Sequence, residues 1–240
     1  MASVVNASQL SAGQIETLEK ISMRLVYQAI HDFAGEAVYI FTNSPHGDET
    51  EVAEDITREA LGRLPGFPVG ERIFGTMDFK RAGYVFAPDY TARQALLVDS
   101  KAEKTRGVAR LQTSQTSLRI RQIRAGQEVD IQGDLATEMC LRDEMYLVTT
   151  IFVHYHYREI NHCKELRNIT IAALPNGKLS SVYVPSATDT IFTAGPNAPT
   201  LGEAFRTRLS FSRLRNRCRW RVQHISLQPN AVMVPDSWEE

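Results

Sequence analysis

Asp99-Ser100-Lys101, at the end of the apolar run Gln94-Ala95-Leu96-Leu97-Val98, is the stretch of this chain whose residue types best suit chemistry. The run reads as a β-strand passing from a core into a polar mouth. Strand side chains alternate with a period of two, so Asp99 and Lys101 share one face while Ser100 points to the other. A second carboxylate, Asp78, stands upstream in Gly75-Thr76-Met77-Asp78-Phe79-Lys80-Arg81. Two carboxylates beside an ammonium suit Mg²⁺-assisted hydrolysis of a phosphodiester. Mg²⁺ takes octahedral oxygen ligands, keeps several waters, and is held by one or two carboxylates plus a substrate phosphate. It polarises the phosphate, offsets charge developing in the transition state and favours deprotonation of the attacking water. A neighbouring lysine orients that water or steadies the phosphoryl oxygens. Asp-x-Lys on its own also fits a surface ion pair.

The elements that must position these residues are legible as patterns. Ile15, Leu18, Ile21, Leu25, Ala29, Phe33 and Val38 recur near every third or fourth residue, which predicts an amphipathic helix over 11–41, interrupted near Gly35. Ser11 is its expected cap, and Asn43-Ser44-Pro45-His46-Gly47 its end. Such a helix packs on a sheet or forms a dimer surface. A second helix is expected from about Asp48 to Leu64, with Val52, Ile56 and Ala60 inward and Pro65-Gly66-Phe67-Pro68 after it. Its Glu51 and Glu54 either complement the helix dipole or supply one more carboxylate to the metal site; Glu54 is the candidate. The strands around Asp78 and Asp99 are expected to form an antiparallel hairpin, with Tyr84, Val85 and Phe86 in the connection. That pairing would bring the two aspartates together. Asp89, in Pro88-Asp89-Tyr90, is a rival first ligand but fits a solvated turn better.

Farther on, residues 145–157 read as a strongly apolar strand, with His154, His156 and Arg158 on its surface face. Zinc ligation by His154 and His156 with His162 and Cys163 is disfavoured because no second ligand pair matches. Strands are expected at Ile169 to Leu174 and at Leu179 to Val184, joined by a Pro175-Asn176-Gly177 turn.

Charge is unevenly spread. The net charge is −1, yet Lys101, Lys104, Arg106, Arg110, Arg119, Arg121 and Arg124 face only Glu103 over their stretch. Between them Gln112 to Ser117 supply amides and hydroxyls suited to phosphates and base edges. Following the candidate catalytic strand, this segment lies where a duplex would have to sit. Phe205 to Phe211 reads as a strand presenting Arg206 and Arg208 on one face, and arginine fits the O6 and N7 of guanine bidentately. Arg213, Arg215, Arg217, Arg219 and Arg221 extend the positive surface, and Trp238 is a candidate for packing on a neighbouring subunit.

A length of 240 residues allows one sizeable core, and 43% hydrophobic with 23% charged residues is ordinary for a soluble protein. Cys140, Cys163 and Cys218 form no C-x-x-C pair, which suggests reduced thiols in a cytoplasm. No signal-peptide pattern and no apolar run of membrane-spanning length is apparent.

Four segments carry a resemblance. Ala53-Glu54-Asp55-Ile56-Thr57, Phe74 to Arg81, Leu96 to Ala102 and Ile151 to Glu159, in their order and spacing, are similar to the SfiI-like type II restriction endonucleases of the PD-(D/E)xK superfamily. The superfamily's proline is replaced by Met77. The resemblance implies an α/β fold in a single domain over 1–240, with a mixed central β-sheet flanked by helices. The catalytic core would span about 48–160, and DNA recognition elements about 101–124 and 203–222. It further implies Asp78 and Asp99 as Mg²⁺ ligands, Lys101 assisting the attacking water, and Glu54 as an additional carboxylate. Base reading would fall to Arg206 and Arg208, and DNA contact to Lys104, Arg106, Arg110 and Arg119. The expected reaction is cleavage of double-stranded DNA at an interrupted G·C-rich palindrome, leaving 5′-phosphates and 3′-hydroxyls. One active site per chain then demands a homodimer or homotetramer, working in the cytoplasm of a prokaryotic cell without a membrane partner. Two rivals are a structure-directed repair or junction nuclease and a non-catalytic DNA-binding protein.

Overall fold

The apolar runs become long central strands. In the computed structural model, residues 3–45, 47–64, 71–73, 77–161, 163–195, 205–227 and 238–240 are described. The chain opens with β1 (Ser3–Val5), then α1 (Ala12–Asp32), α2 (Ala34–Asn43) and α3 (Glu49–Gly62). The main sheet follows: β2 (Glu71–Arg72), β3 (Phe79–Phe86), β4 (Tyr90–Glu103), β8 (Glu138–Leu141), β9 (Glu144–Ile160), β10 (Cys163–Leu174) and β13 (Val222–Ser226). Its path is β13-β10-β9-β4-β3-β2, with β1 added beside β4 and β8 beside β9. The β4–β9 and β1–β4 pairs are parallel, and the others are antiparallel, so the sheet is mixed. Between β4 and β8 lie β5 (Val108–Gln112), β6 (Arg119–Arg124) and β7 (Gln127–Gln132). After β10 come α4 (Ser180–Tyr183), β11 (Phe192–Thr193), β12 (Arg206–Ser210) and α5 (Phe211–Arg217). Strands β11, β12 and β5 form a second, three-stranded sheet, and β6–β7 a separate hairpin.

Alternation along β4 divides the molecule into layers. Leu96 and Val98 face one way, into a cluster with Met23, Ile30, Phe41 and Ile56 of the three helices. On the opposite side of the sheet, Phe152 of β9 and Ala172 of β10 pack with Ala109 and Leu111 of β5, Leu209 of β12 and Phe211 of α5. The helical layer therefore covers one face and the three-stranded sheet the other. Each buries apolar surface worth about 25 cal/mol per Å².

Ser11 caps α1 in a reciprocal box with Gln14, as the sequence predicts. The helix breaks at Phe33, two residues before Gly35, and resumes as α2 to Asn43. α1 packs its apolar stripe into the core. Tyr84, Val85 and Phe86 belong to β3, not to the connection. Val85 is buried while Tyr84 and Phe86 are exposed, an in-and-out pattern that extends the strand to a turn at Ala87–Asp89. The strand expected at Leu179 to Val184 is instead a 3₁₀ turn, Gly177–Leu179, running into α4. Asn176 caps that turn by accepting from the Lys178 N–H, and Gly177 lies against the Ser117 carbonyl with no room for a Cβ. Trp238 stacks edge-on against Tyr27 of its own chain and beneath Arg24. The segments 65–68 and 74–76 singled out above lie outside the described residues, as does His162.

Arg221 is not part of a positive surface. It is fully buried, donates to Glu19 Oε2 at 2.6 Å and to Tyr183 Oη at 2.7 Å, and joins α1 to the end of β10. Burial alone would lower its pKa; the Glu19 carboxylate and Tyr183 more than reverse that. Glu19 also accepts from the Asn176 N–H at 2.8 Å. Removing one partner of such a pair strands the other charge in the core. Arg221→Ala is expected to cost about 3–5 kcal/mol, read as a fall of roughly 10 °C in the thermal midpoint; an unchanged midpoint would contradict this role.

Candidate active site

The β3–β4 register builds the site. Phe79 stands opposite Val98, which places Asp78 next in line to Asp99. The Ser100 N–H donates to Asp78 Oδ2 at 2.6 Å, fixing that carboxylate against the neighbouring strand. Asp99 is buried, and its Oδ1 accepts from Gln115 Nε2 at 3.0 Å. Lys101 Nζ lies 2.9 Å from Asp99 Oδ2 but off the direction of a hydrogen bond, so this buried oxygen has a charge beside it and no aligned donor. Burial pushes the Asp99 pKa up and Asp78 adds to it, while Lys101 and Gln115 pull it down.

α3 completes the cluster from the other side. Glu54 is raised to about 7, first by burial, then by the charge of Asp78 and a hydrogen bond to it, with Asp99 adding a smaller push. Glu51, one turn earlier, is exposed. Thr57, one turn after Glu54, hydrogen-bonds both Ser100 Oγ at 2.7 Å and Tyr155 Oη at 2.8 Å. This hydroxyl chain locks α3 onto β4 and β9 behind the carboxylates. Lys80 is also buried, which lowers its pKa, while Asp78, Asp99 and Glu54 pull it up. Asp78-Phe79-Lys80 and Asp99-Ser100-Lys101 are thus two Asp-x-Lys units run antiparallel. Asp89 is exposed in the turn at the far end of β4, roughly 30 Å along the strand from Asp99.

The donors fit a hard divalent cation. All are carboxylate oxygens, and an unsatisfied buried oxygen among like charges is a place for a positive ion. Among the described residues no three or more His, Cys, Asp or Glu stand together so as to hold a metal ion by themselves. Such an open arrangement is the usual one for Mg²⁺, which keeps waters and takes substrate oxygens.

The cationic residues separate into groups. On β12, Arg206 is opposite Gln112 and Arg208 opposite Arg110, so Arg110, Arg206 and Arg208 share a face of the second sheet. Like charges placed directly across strands repel, and a polyanion relieves them. Arg110 pairs with Glu103 at 3.1 Å, which also lies 3.4 Å from His154. Lys104 pairs with Glu159 at 2.9 Å, and Arg106 is exposed. Arg119 is not with them: it sits on the β6–β7 hairpin, ion-paired to Asp130. Arg215 and Arg217 are engaged by Glu239 and Asp189, and Arg213 by the carbonyls of Thr190 and Phe192. His154 and His156 are buried beneath the second layer rather than on a strand surface, His154 against the Phe211 ring. Sequence reasoning missed Thr57 and Tyr155, whose hydroxyls carry no pattern, and assigned Gln115 outward although it turns in to Asp99.

Two solved structures similar to this chain are restriction endonucleases. BglI bound to its DNA recognition sequence gives a TM-score of 0.69 at 18% identity over 88% of this chain and 90% of that one, a likeness of fold. Tetrameric SfiI bound to cognate DNA gives 0.86 at 31% identity over 96% and 90%. The fold is that of the restriction endonucleases. The family model for type II restriction enzyme SfiI matches residues 34–225. The SfiI enzyme of Streptomyces fimbriatus is 30% identical over 246 aligned residues, 97% of this chain and 91% of that protein. The chain belongs to the SfiI family of type II restriction endonucleases.

A carboxyl whose folded pKa is raised contributes stability below its unfolded value, and that contribution is lost as pH rises through the folded value. For Glu54 the window runs from 4.5 to about 7. In metal-free protein, the thermal midpoint of Glu54→Gln is expected to rise relative to wild type across that window. A difference that stays constant with pH would contradict the placement of Glu54 beside Asp78.

Proposed function

We propose that this protein cuts both strands of DNA at an interrupted, G·C-rich palindrome by Mg²⁺-dependent attack of water, leaving 5′-phosphate and 3′-hydroxyl ends. The observation that carries the reading is the pairing of Asp78 with Asp99: each has one oxygen anchored by the protein, and Lys101 stands at 2.9 Å from Asp99. Asp78 and Asp99 hold the metal, and Glu54 joins them as an additional carboxylate through Asp78. When bound there, Mg²⁺ supplies Lewis-acid polarisation of the scissile phosphate and offsets its developing charge.

Lys101 orients the attacking water through its Nζ and steadies the phosphoryl oxygens. Ser100 holds Asp78 in place by its backbone N–H, and Thr57 and Tyr155 keep α3 seated behind the site. Arg206 and Arg208 read guanine edges in the major groove. Arg110 lies on the same face beside them. Lys104, Arg106 and Arg119 contact phosphates, which positions the duplex without reading it. The chain acts as one endonuclease domain, and its single site requires a second copy for the second strand. The tetrameric state of SfiI on its DNA supports a tetramer here.

Asp99→Asn tests the catalytic assignment. It is expected to lower the cleavage rate by about 10²-fold or more while duplex binding, measured without metal, persists. Cutting at the wild-type rate would sink the assignment. Arg206→Ala is expected to weaken binding to the cleaved site by about 1–3 kcal/mol and relax selectivity at one base pair. A uniform loss across all sequences in a competition assay would mark it as a phosphate contact instead.

A further inference from the structure

Asp99 is tied to the second layer of the molecule by Gln115. This residue ends the 3₁₀ turn Thr113–Gln115, between β5 and β6, and is buried. Its Nε2 donates to Asp99 Oδ1 at 3.0 Å, and its Oε1 accepts from the Gln112 N–H at 3.0 Å. A carboxylate here only accepts and a backbone N–H only donates, so these two partners fix which way the amide faces. Gln112 is the last residue of β5 and stands opposite Arg206. A second link joins the same two strands: Arg110 of β5 pairs at 3.1 Å with Glu103 of β4. Lys101, Glu103, Arg110, Gln112, Gln115 and Arg206 line the cleft of about 330 Å³ between them.

We propose that Gln115 is a positioning residue through which the β5–β12 ribbon sets the Asp99 carboxylate, so that cleavage follows correct seating of the ribbon on DNA. The inference rests on the nuclease reading above. The terminal torsion of an aspartate is broad and does little to hold the carboxylate by itself. Gln115 anchors Oδ1 and thereby leaves Oδ2 turned toward Lys101. Without that anchor the carboxylate samples rotations that misplace its free oxygen, and Mg²⁺ tolerates little departure from octahedral geometry. The link acts in the other direction as well. A shift of Gln112, when Arg206 meets the wrong base, moves the amide and with it Asp99. Correct and incorrect sequences are then distinguished at the chemical step in addition to binding.

The test compares wild type with Gln115→Met, which conserves volume and removes both hydrogen bonds, and Gln115→Asn, whose amide is a methylene too short to span both partners. Each is assayed on the duplex that the wild type cuts, and on that duplex with one base pair of the site changed. The quantities read are duplex affinity measured without metal, calorimetric Ca²⁺ affinity of the protein–duplex complex, single-turnover cleavage in Mg²⁺, and the thermal midpoint. Gln115→Met is expected to keep its duplex affinity while Ca²⁺ affinity and cleavage rate each fall by about tenfold or more, and the rate ratio between the two duplexes shrinks. Wild-type Ca²⁺ affinity and cleavage in Gln115→Met would overturn the proposal, as would a loss of cleavage matched by an equal loss of duplex affinity. Should Gln115→Met melt below the assay temperature, Gln115→Asn carries the same expectation and the same contrary results. A wild type that neither cuts DNA nor gains Ca²⁺ affinity on it would instead refute the nuclease reading.

Discussion

Two carboxylates brought together by strand register are the constraint on which the rest of the site depends. Phe79 opposite Val98 forces Asp78 and Asp99 into proximity at the mouth of β4, with Glu54 added from α3. Burial raises the pKa of both Asp99 and Glu54, and the like charge of Asp78 adds to it. The fold opposes this repulsion with two fixed donors, the Ser100 N–H on Asp78 and the Gln115 amide on Asp99, and with the charge of the Lys101 ammonium beside them. What these groups leave over is an oxygen site that suits a cation, held in shape by one backbone N–H and two side chains.

β4 also explains how one strand serves two layers. Its even-numbered residues near the mouth, Val98 and Ser100, look into the helical layer, where Ser100 meets Thr57. Asp99, Lys101 and Glu103 look the other way, to Gln115 and Arg110 of the second sheet. The helices therefore hold the site from behind and supply Glu54. The second sheet carries the arginine face and reaches Asp99 from the front. A displacement of one residue in register would exchange these sets and destroy both.

Much of this was legible in the sequence because it rests on local periodicity. The alternation that puts Asp99 and Lys101 on one face, the Ser11 cap and the helices before Gly62 are set by residues near one another in the chain. The pairing of Asp78 with Asp99 was legible because a short antiparallel hairpin is local too. What failed was long-range or context-dependent. Arg221 looked like one more exposed arginine because nothing nearby announces Glu19, which lies on the first helix. Gln115 looked like a base-contacting amide because it stands in a basic run, whereas its turn is folded back on β4. Residues 179–184 were taken for a strand from Pro175-Asn176-Gly177, where Asn176 in fact starts a helical turn.

The role proposed for the paired aspartates is metal-dependent, sequence-specific cutting of DNA. The most direct measurement is digestion of a long duplex of known sequence by the purified protein, with Mg²⁺ or with chelator, followed by sequencing of the ends. The expected result is a discrete set of fragments, formed in Mg²⁺ and absent in chelator, whose ends share one interrupted palindrome. No cutting, cutting that persists in chelator, or a smear without common ends would contradict it.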